Sequence, residues 1–166
     1  MSTIIYESSE KLSPKRIKWI DKNSVSHTFA DGKGEIVLKD SVRKIEQYAF
    51  DDVKKISEGE IEICNEIMTS IVIPDSITEI EFEAFFNCIS LKSVVIPDSV
   101  TKIEESAFME CSGLTAVYVP DSVKKIGEKA FFKCGLWSIS VSDSAEIGEE
   151  AFDYCERLPK IRPAKA

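Results

Sequence analysis

From residue 68 onward, apolar and polar positions follow two rhythms that take turns along the chain. Leu91-x-x-Val94-x-Ile96, Leu114-x-x-Val117-x-Val119 and Leu136-x-x-Ile139-x-Val141 alternate inward apolar with outward positions, as a short strand with one buried face requires. Met68-x-x-Ile71-x-Ile73 and Leu158-x-x-Ile161 extend the set. After each strand a Pro-Asp-Ser segment supplies turn chemistry: proline fixes φ, and the Asp and Ser side chains are able to bond nearby backbone amides. Ile103, Ala107, Phe108 and Cys111 then follow at spacings of four, one and three. That pattern predicts a short helix or helical turn with one apolar face, Glu104 and Glu105 near its positive N-terminal end, and Gly113 and Gly135 as C-terminal caps.

The alternation is periodic. Ile73-Pro74-Asp75-Ser76-Ile77 recurs as Ile96-Pro97-Asp98-Ser99-Val100 and Val119-Pro120-Asp121-Ser122-Val123, with the aspartates 23 residues apart, and a worn copy, Val141-Ser142-Asp143-Ser144-Ala145, follows. Asp40-Ser41-Val42 leads into Ile45 and Ala49-Phe50 with the same internal offsets, then precedes the next copy by 35 residues, which marks a repeat carrying an insertion. Strands on one side and helical turns on the other, repeated at a fixed period, stack as a solenoid. The expected fold is an α/β solenoid, a curved ladder of short parallel strands and short helical turns with an N-terminal β-hairpin-like cap. Residues 1–35 form the cap and 36–163 the solenoid, with about five repeats and an insertion near 57–68, together one structural domain.

The stretch Ser93-Val94-Val95-Ile96-Pro97-Asp98-Ser99-Val100-Thr101-Lys102-Ile103, with Ala107-Phe108 and Cys111-x-x-Leu114, resembles BspA-type, or Treponema-type, leucine-rich repeat proteins. The likeness covers roughly residues 36 to 163; residues 1–35 and the insertion around Ser57 to Met68 depart from it. The resemblance implies a leucine-rich repeat ladder and a recognition or adhesion module, commonly at bacterial surfaces.

A solenoid needs its ends covered. Val25-Ser26-His27-Thr28-Phe29 and Glu35-Ile36-Val37-Leu38 flank Ala30-Asp31-Gly32-Lys33-Gly34, a hairpin signal, and Trp19 is expected in the core of this cap. Pro159, Lys160, Arg162 and Pro163 punctuate the last strand as edge blockers.

Composition narrows the function classes. The 166 residues are 43% hydrophobic and 30% charged, with a net charge of -8, and no apolar run approaches the ~20 residues that span a bilayer. Such a charge disfavours nucleic acid and anionic lipid as partners. The chain opens without a basic segment leading into a continuous apolar stretch, so no secretory signal is visible and a cytoplasmic setting is expected, with an extracellular one open to a trimmed chain. Cys88, Cys111, Cys134 and Cys155 recur at equivalent repeat positions, with Cys64 in the insertion, and read as a column of buried free thiols. Turn chemistry explains Asp75, Asp98, Asp121 and Asp143 more simply than calcium does. His27 is the sole histidine and has no serine or cysteine in a catalytic arrangement; no nucleophile elbow, phosphate loop or zinc signature is present. Lys15, Arg16 and Lys18 form a short basic cluster, read as a solvated face. No enzyme activity, cofactor or metal is expected.

Candidate binding residues come from the outward strand positions. Val72, Val95, Tyr118 and Ser140 share one register; Thr69, Lys92, Thr115 and Trp137 share another; Ser70, Ser93, Ala116 and Ser138 share a third. Tyr118 and Trp137 on adjacent strands are the kind of anchors that interfaces use, against the alternatives of an aromatic cross-strand pair or of shielding by the cap. Five short strands offer a face on the order of 200–300 Å². A standard interface needs roughly 800 Å² per partner, so the acidic insertion, with Glu58, Glu60, Glu62 and Glu66, or the cap has to contribute. The expected function is a non-catalytic scaffold, favoured as a monomer, that binds a protein through Val72, Lys92, Val95, Tyr118, Trp137, Ser140, Glu58, Glu60 and Glu62. The alternatives are an acidic inhibitor or immunity protein blocking a basic, nucleic-acid-binding site on an enzyme, and a surface adhesion module.

Overall fold

The computed structural model describes residues 2–9, 11–12, 18–50, 53–57, 60–63 and 68–158, with side chains for all of these except 18–19, 21, 53–57 and 60–63. Lys15, Arg16, Cys64 and the segment from Pro159 to Pro163 fall outside what is described, as do the side chains of Lys18 and Trp19.

Two parallel ladders run the length of the solenoid. The first contains β7 (Met68–Val72), β9 (Ser93–Val95), β11 (Ala116–Tyr118) and β13 (Ser138–Ser140), the strands that the alternation predicts. Ser70, Ile71 and Val72 pair with Ser93, Val94 and Val95, and Ala116, Val117 and Tyr118 pair with Ser138, Ile139 and Ser140, both in parallel. Between β9 and β11 the strands lie side by side but divide into two sheets. The second ladder joins β4 (Lys44–Ile45), β8 (Glu79–Ile80), β10 (Lys102–Ile103), β12 (Lys125–Ile126) and β14 (Glu146–Ile147), each in parallel with the next.

The short helical turns are not found: among the described residues the repeats contain no helix, and the coils are built of β-strands and turns. Ser106 and Glu110 have φ of 55° and 63°, and the same positions in neighbouring coils repeat those values, at Glu83 and Asn87 or Lys129 and Lys133. A left-handed residue every fourth position breaks the i→i+4 ladder of a helix. The amides instead divide their bonds in two directions. Ala107 and Met109 N–H donate back to Glu104 and Ser106, whereas Ser106, Phe108 and Glu110 N–H donate sideways to Glu128, Ala130 and Phe132 of the next coil. The apolar spacing is met by this run of turns as well as by a helix, and the lateral bonds decide between them. Gly113 and Gly135 are likewise not helix caps. A Cβ on Gly113 would lie 2.4 Å from Ile89 O and one on Gly135 2.2 Å from Ser112 O, so their role is close approach of successive coils.

The core between the ladders repeats with the coils. Phe50, Phe85, Phe108, Phe131 and Phe152 stack with centroids 4.9, 4.9, 5.1 and 5.5 Å apart and planes within 12°. Beside them runs the predicted thiol column. Cys111, Cys134 and Cys155 are buried and free, and donate to the carbonyls of Phe85, Phe108 and Phe131 at 3.1, 3.0 and 3.1 Å. Burial pushes the Cys134 and Cys155 thiols up from their ordinary value.

The N-terminal region contributes a hairpin and one additional strand. β2 (Ser24–Ala30) and β3 (Lys33–Leu38) pair as an antiparallel hairpin around Asp31 and Gly32, whose φ of 50° and 77° give the two-residue turn that Asp-Gly favours. The additional strand is β1 (Thr3–Ser8), which lies between β3 and β7 and pairs antiparallel with both. Ile4 and Tyr6 point inward with no exposure, and the Tyr6 ring crosses Gly34, where a Cβ would fall 1.9 Å from it. Tyr6 Oη lies 2.7 Å from His27 Nε2 and accepts the Leu12 N–H at 3.2 Å. Burial, and then Lys11, hold the His27 pKa below its ordinary value. The short helix α1 (Lys18–Asn23) precedes β2, and in the insertion β5 (Val53–Ser57) and β6 (Glu60–Ile63) form an antiparallel hairpin.

Four outcomes follow from this packing. Phe108→Ala, inside the stack, is expected to lower unfolding free energy by about 3–5 kcal/mol, and Phe152→Ala, at its half-buried end, by distinctly less, both read by urea denaturation. In a Cys64→Ser chain the thiols of the ladder are expected to react with a disulfide reagent at pH 8 only as fast as the protein unfolds. Because the folded state keeps protons on Cys134 and Cys155 that the unfolded chain releases above about pH 8.5, these groups should cost stability as the pH rises past that point. His27 has the opposite sign: the unfolded ring takes a proton below about pH 6.5 that the folded ring resists, so its contribution is lost as the pH falls, and His27→Gln should flatten that part of the stability profile.

Candidate functional site: the outer strand face

A strand with one buried face presents its alternate residues to solvent, and lateral pairing lines these up across coils. Val72, Val95, Tyr118 and Ser140 each end a strand, and the pairing sets Val72 beside Val95 and Tyr118 beside Ser140. Val72 is 39% exposed, Val95 54% and Tyr118 60%. Lys92 and Trp137 stand at the other end of the strands, both exposed, in positions fixed by bonds from Lys92 N–H to Thr69 O and from Trp137 N–H to Thr115 O, 2.8 and 2.9 Å. Trp137 is 61% exposed. Among the described residues, no ring contact joins Tyr118 to Trp137, and the cap does not lie over either of them: its three strands continue the sheet away from the far edge of β7.

That continuation adds a residue that the repeat pattern does not disclose. Ile5 of β1 pairs directly with Val72 and is 42% exposed, so a paired apolar row runs through Ile5, Val72 and Val95, and Tyr118 continues it at the same repeat position on β11, which lies beside β9. The β-branched and aromatic run Ile4-Ile5-Tyr6 is the signal that could have marked it as a strand, though not where it pairs. With the cap included, seven strands at ~4.8 Å spacing make a face about 30 Å across and on the order of 400 Å². Of the insertion's acids, Glu58 falls outside the described residues; Glu60 and Glu62 lie in β6, with their side chains outside the description.

Charge is distributed unequally over the surface. Along the second ladder and in the turns that follow it, lysines meet glutamates: Lys44 with Glu79 and Glu81, Lys102 with Glu104, Lys125 with Glu146 at 3.7 Å, Lys129 with Glu128 at 2.7 Å and Lys133 with Glu110 at 3.0 Å. Hydrogen bonds to Glu79 and Glu81 raise the pKa of Lys44. The aspartates of the Pro-Asp-Ser turns differ. These turns close through backbone bonds, Ile77 N–H to Pro74 O, Val100 N–H to Pro97 O and Val123 N–H to Pro120 O, at 3.0 to 3.1 Å. Asp75, Asp98, Asp121 and Asp143 are exposed, and among the described residues no side-chain hydrogen bond or ion pair engages their carboxylates, so the expected side-chain bonding of the turns by Asp is not what closes them. Nor, among the described residues, are three or more His, Cys, Asp or Glu grouped to hold a metal ion. No helix among the described residues is long and apolar enough to cross a membrane.

Three solved structures resemble the chain. A leucine-rich repeat protein from Bacteroides ovatus is 23% identical, with a TM-score of 0.48, over 73% of this chain and 40% of that one. The T. pallidum leucine rich repeat protein is 21% identical, with a TM-score of 0.47, over 68% of each chain. A leucine rich cell surface protein from Faecalibacterium prausnitzii is 22% identical, with a TM-score of 0.40, over 80% of this chain and 44% of that one. The chain therefore spans less than half the length of two of these three proteins. None of the curated proteins matches it in sequence. The model of the BspA type leucine rich repeat region matches residues 26–159 in six copies, and with the two parallel ladders and the stacked coils now described, the chain belongs to the BspA type leucine-rich repeat family.

Proposed function

We propose that the chain is a non-catalytic scaffold that binds a protein partner through its outer strand face. Membership in a leucine-rich repeat family supports an interaction or adhesion-type scaffold, a broader statement than this one. The observation that carries the finer reading is the exposed row Ile5, Val72, Val95, Tyr118, with Trp137 beside it, on coil strands whose other outward positions are Ser, Thr, Ala or Lys. Solvent-facing apolar groups that are lined up in a row by backbone pairing differ from scattered ones, which are ordinary. Tyr and Trp bring a large apolar area together with a polar handle, the combination enriched at interface centres. The face alone supplies about half of a standard partner footprint, so loops beside it, the β5–β6 hairpin included, take part in the contact.

Affinity capture from lysate of the source cells, comparing wild type with Tyr118→Ala plus Trp137→Ala, tests this reading. One specific protein, retained by wild type and lost by the double variant at low and high salt alike, is the expected result. Retention by the variant with loss only at high salt would transfer the binding to the acidic surface and favour the inhibitor reading, since exposed charge pairs are screened by salt.

A further inference from the structure

The face has a chemical polarity that the row of apolar residues does not express. Three positions beyond each member of the row, at the corner where the strand passes into its turn, stands an exposed aspartate: Val72 is followed by Asp75, Val95 by Asp98, Tyr118 by Asp121 and Ser140 by Asp143. The column of carboxylates therefore runs beside the row, one per coil, without ion pairs among the described residues; Lys124 Nζ donates to the backbone carbonyl of Asp121 at 2.7 Å, while Lys44, Lys102 and Lys125 pair with glutamates along the other ladder. On the opposite flank the only charge in the column Thr69, Lys92, Thr115, Trp137 is positive. An occupant is thus favoured with an apolar stripe, cationic groups on the flank facing the aspartates, and none facing Lys92.

Spacing selects the form of that occupant. Successive coils stand 4.9 to 5.5 Å apart, measured at the phenylalanine stack. An α-helix laid across the strands returns a side chain to the same face every turn, about 5.4 Å, a mismatch of a few tenths of an ångström per coil that flexible lysine and arginine stems absorb. An extended strand in the same position repeats every two residues, roughly 6.6–6.8 Å, and falls out of step by about one coil over the four. We infer that the outer strand face takes a cationic amphipathic helix of a partner protein, one turn per coil, with its apolar stripe on Ile5, Val72, Val95 and Tyr118 and its Lys or Arg flank on Asp75, Asp98, Asp121 and Asp143. The inference rests on the strand face being the binding surface, and adds the class of partner.

The probe is a fluorescein-labelled, helix-favouring peptide of about fourteen residues, with a leucine stripe and lysines along one flank, titrated by anisotropy against the full chain. It is expected to bind about tenfold more tightly than a scrambled peptide of the same composition or one carrying Glu in place of Lys, and to gain helical circular dichroism on binding. The triple variant Asp75→Asn, Asp98→Asn, Asp121→Asn is expected to weaken it about tenfold and to flatten its salt dependence. Val95→Ser with Tyr118→Ser weakens binding while leaving the salt slope in place. Asp75→Lys, Asp98→Lys, Asp121→Lys, checked for an unchanged melting temperature, should reverse the preference toward the Glu-flanked peptide. Equal binding of the scrambled peptide, no binding of any peptide, or wild-type affinity in the Asn triple variant overturns the inference. Loss of binding in the Val95 and Tyr118 variant alone removes the aspartate column and leaves the strand face standing as a binding surface; wild-type behaviour of both variants removes the face as well.

Discussion

Lateral backbone hydrogen bonds between coils are the constraint on which the rest depends. Each coil gives N–H groups from its turns to the carbonyls of the next, Phe85 to Ala107, Phe108 to Ala130 and Phe131 to Ala151, all at 2.8 Å. Once those bonds are made, every position of one coil stands about 5 Å from its counterpart in the next. Phenylalanine then has to stack on phenylalanine with planes nearly parallel, and glycine at 113 and 135 has to stay glycine because the neighbouring carbonyl occupies the space a Cβ would take. The same bonds relieve the turns of any need to be helical. A buried polar backbone requires partners, and here half of them are supplied sideways.

That division explains which features could be read from the residues alone. The 23-residue spacing of Asp75, Asp98 and Asp121 sets the register of both ladders, so the outward columns through Val72 and Val95 and through Tyr118 and Ser140 were legible, as were the buried thiols. Apolar residues at 103, 107, 108 and 111 do not distinguish a helical turn from a chain of tight turns, because both bury the same side chains. What separates them is the positive φ at Ser106 and Glu110, residue types that seldom adopt it and so carry no local signal. β1 escaped for a different reason. Its partners, Glu35 and Val72 for Ile5, lie thirty and more residues away and belong to two different elements, so nothing local shows that it belongs in the sheet.

The placement of β1 decides how the solenoid begins. A parallel ladder that simply stopped at β7 would leave a row of unpaired strand groups and an open apolar interior. β1 satisfies the edge of β7 in antiparallel fashion, brings Ile4 and Tyr6 over the interior, and hands the sheet on to the hairpin of β2 and β3. The free edge then falls on β2, where Lys11 Nζ donates to His27 O at 2.9 Å, a cationic side chain on an edge carbonyl that discourages further pairing. Closing the end and widening the outer face are therefore consequences of one strand.

A face built in this way is suited to binding for energetic reasons beyond its composition. Association costs the freedom of every side chain it immobilises, up to about 1.5 kcal/mol for a long flexible one. Val72 and Val95 are β-branched and stiff at χ1, and Tyr118 and Trp137 have only two side-chain torsions each, so most of the exposed apolar area here is carried by groups with little freedom to lose. The backbone beneath them is paired with a neighbouring strand, β7 with β1 and β9, and β11 with β13, which fixes the spacing within each set before any partner arrives. Flexible lysines pair with glutamates along the second ladder and in the turns that follow it, where exposed pairs add little stability. The coils thus place stiff apolar groups in register along the outer face, and a partner whose own side chains repeat near 5 Å meets a surface that has already paid most of the ordering cost.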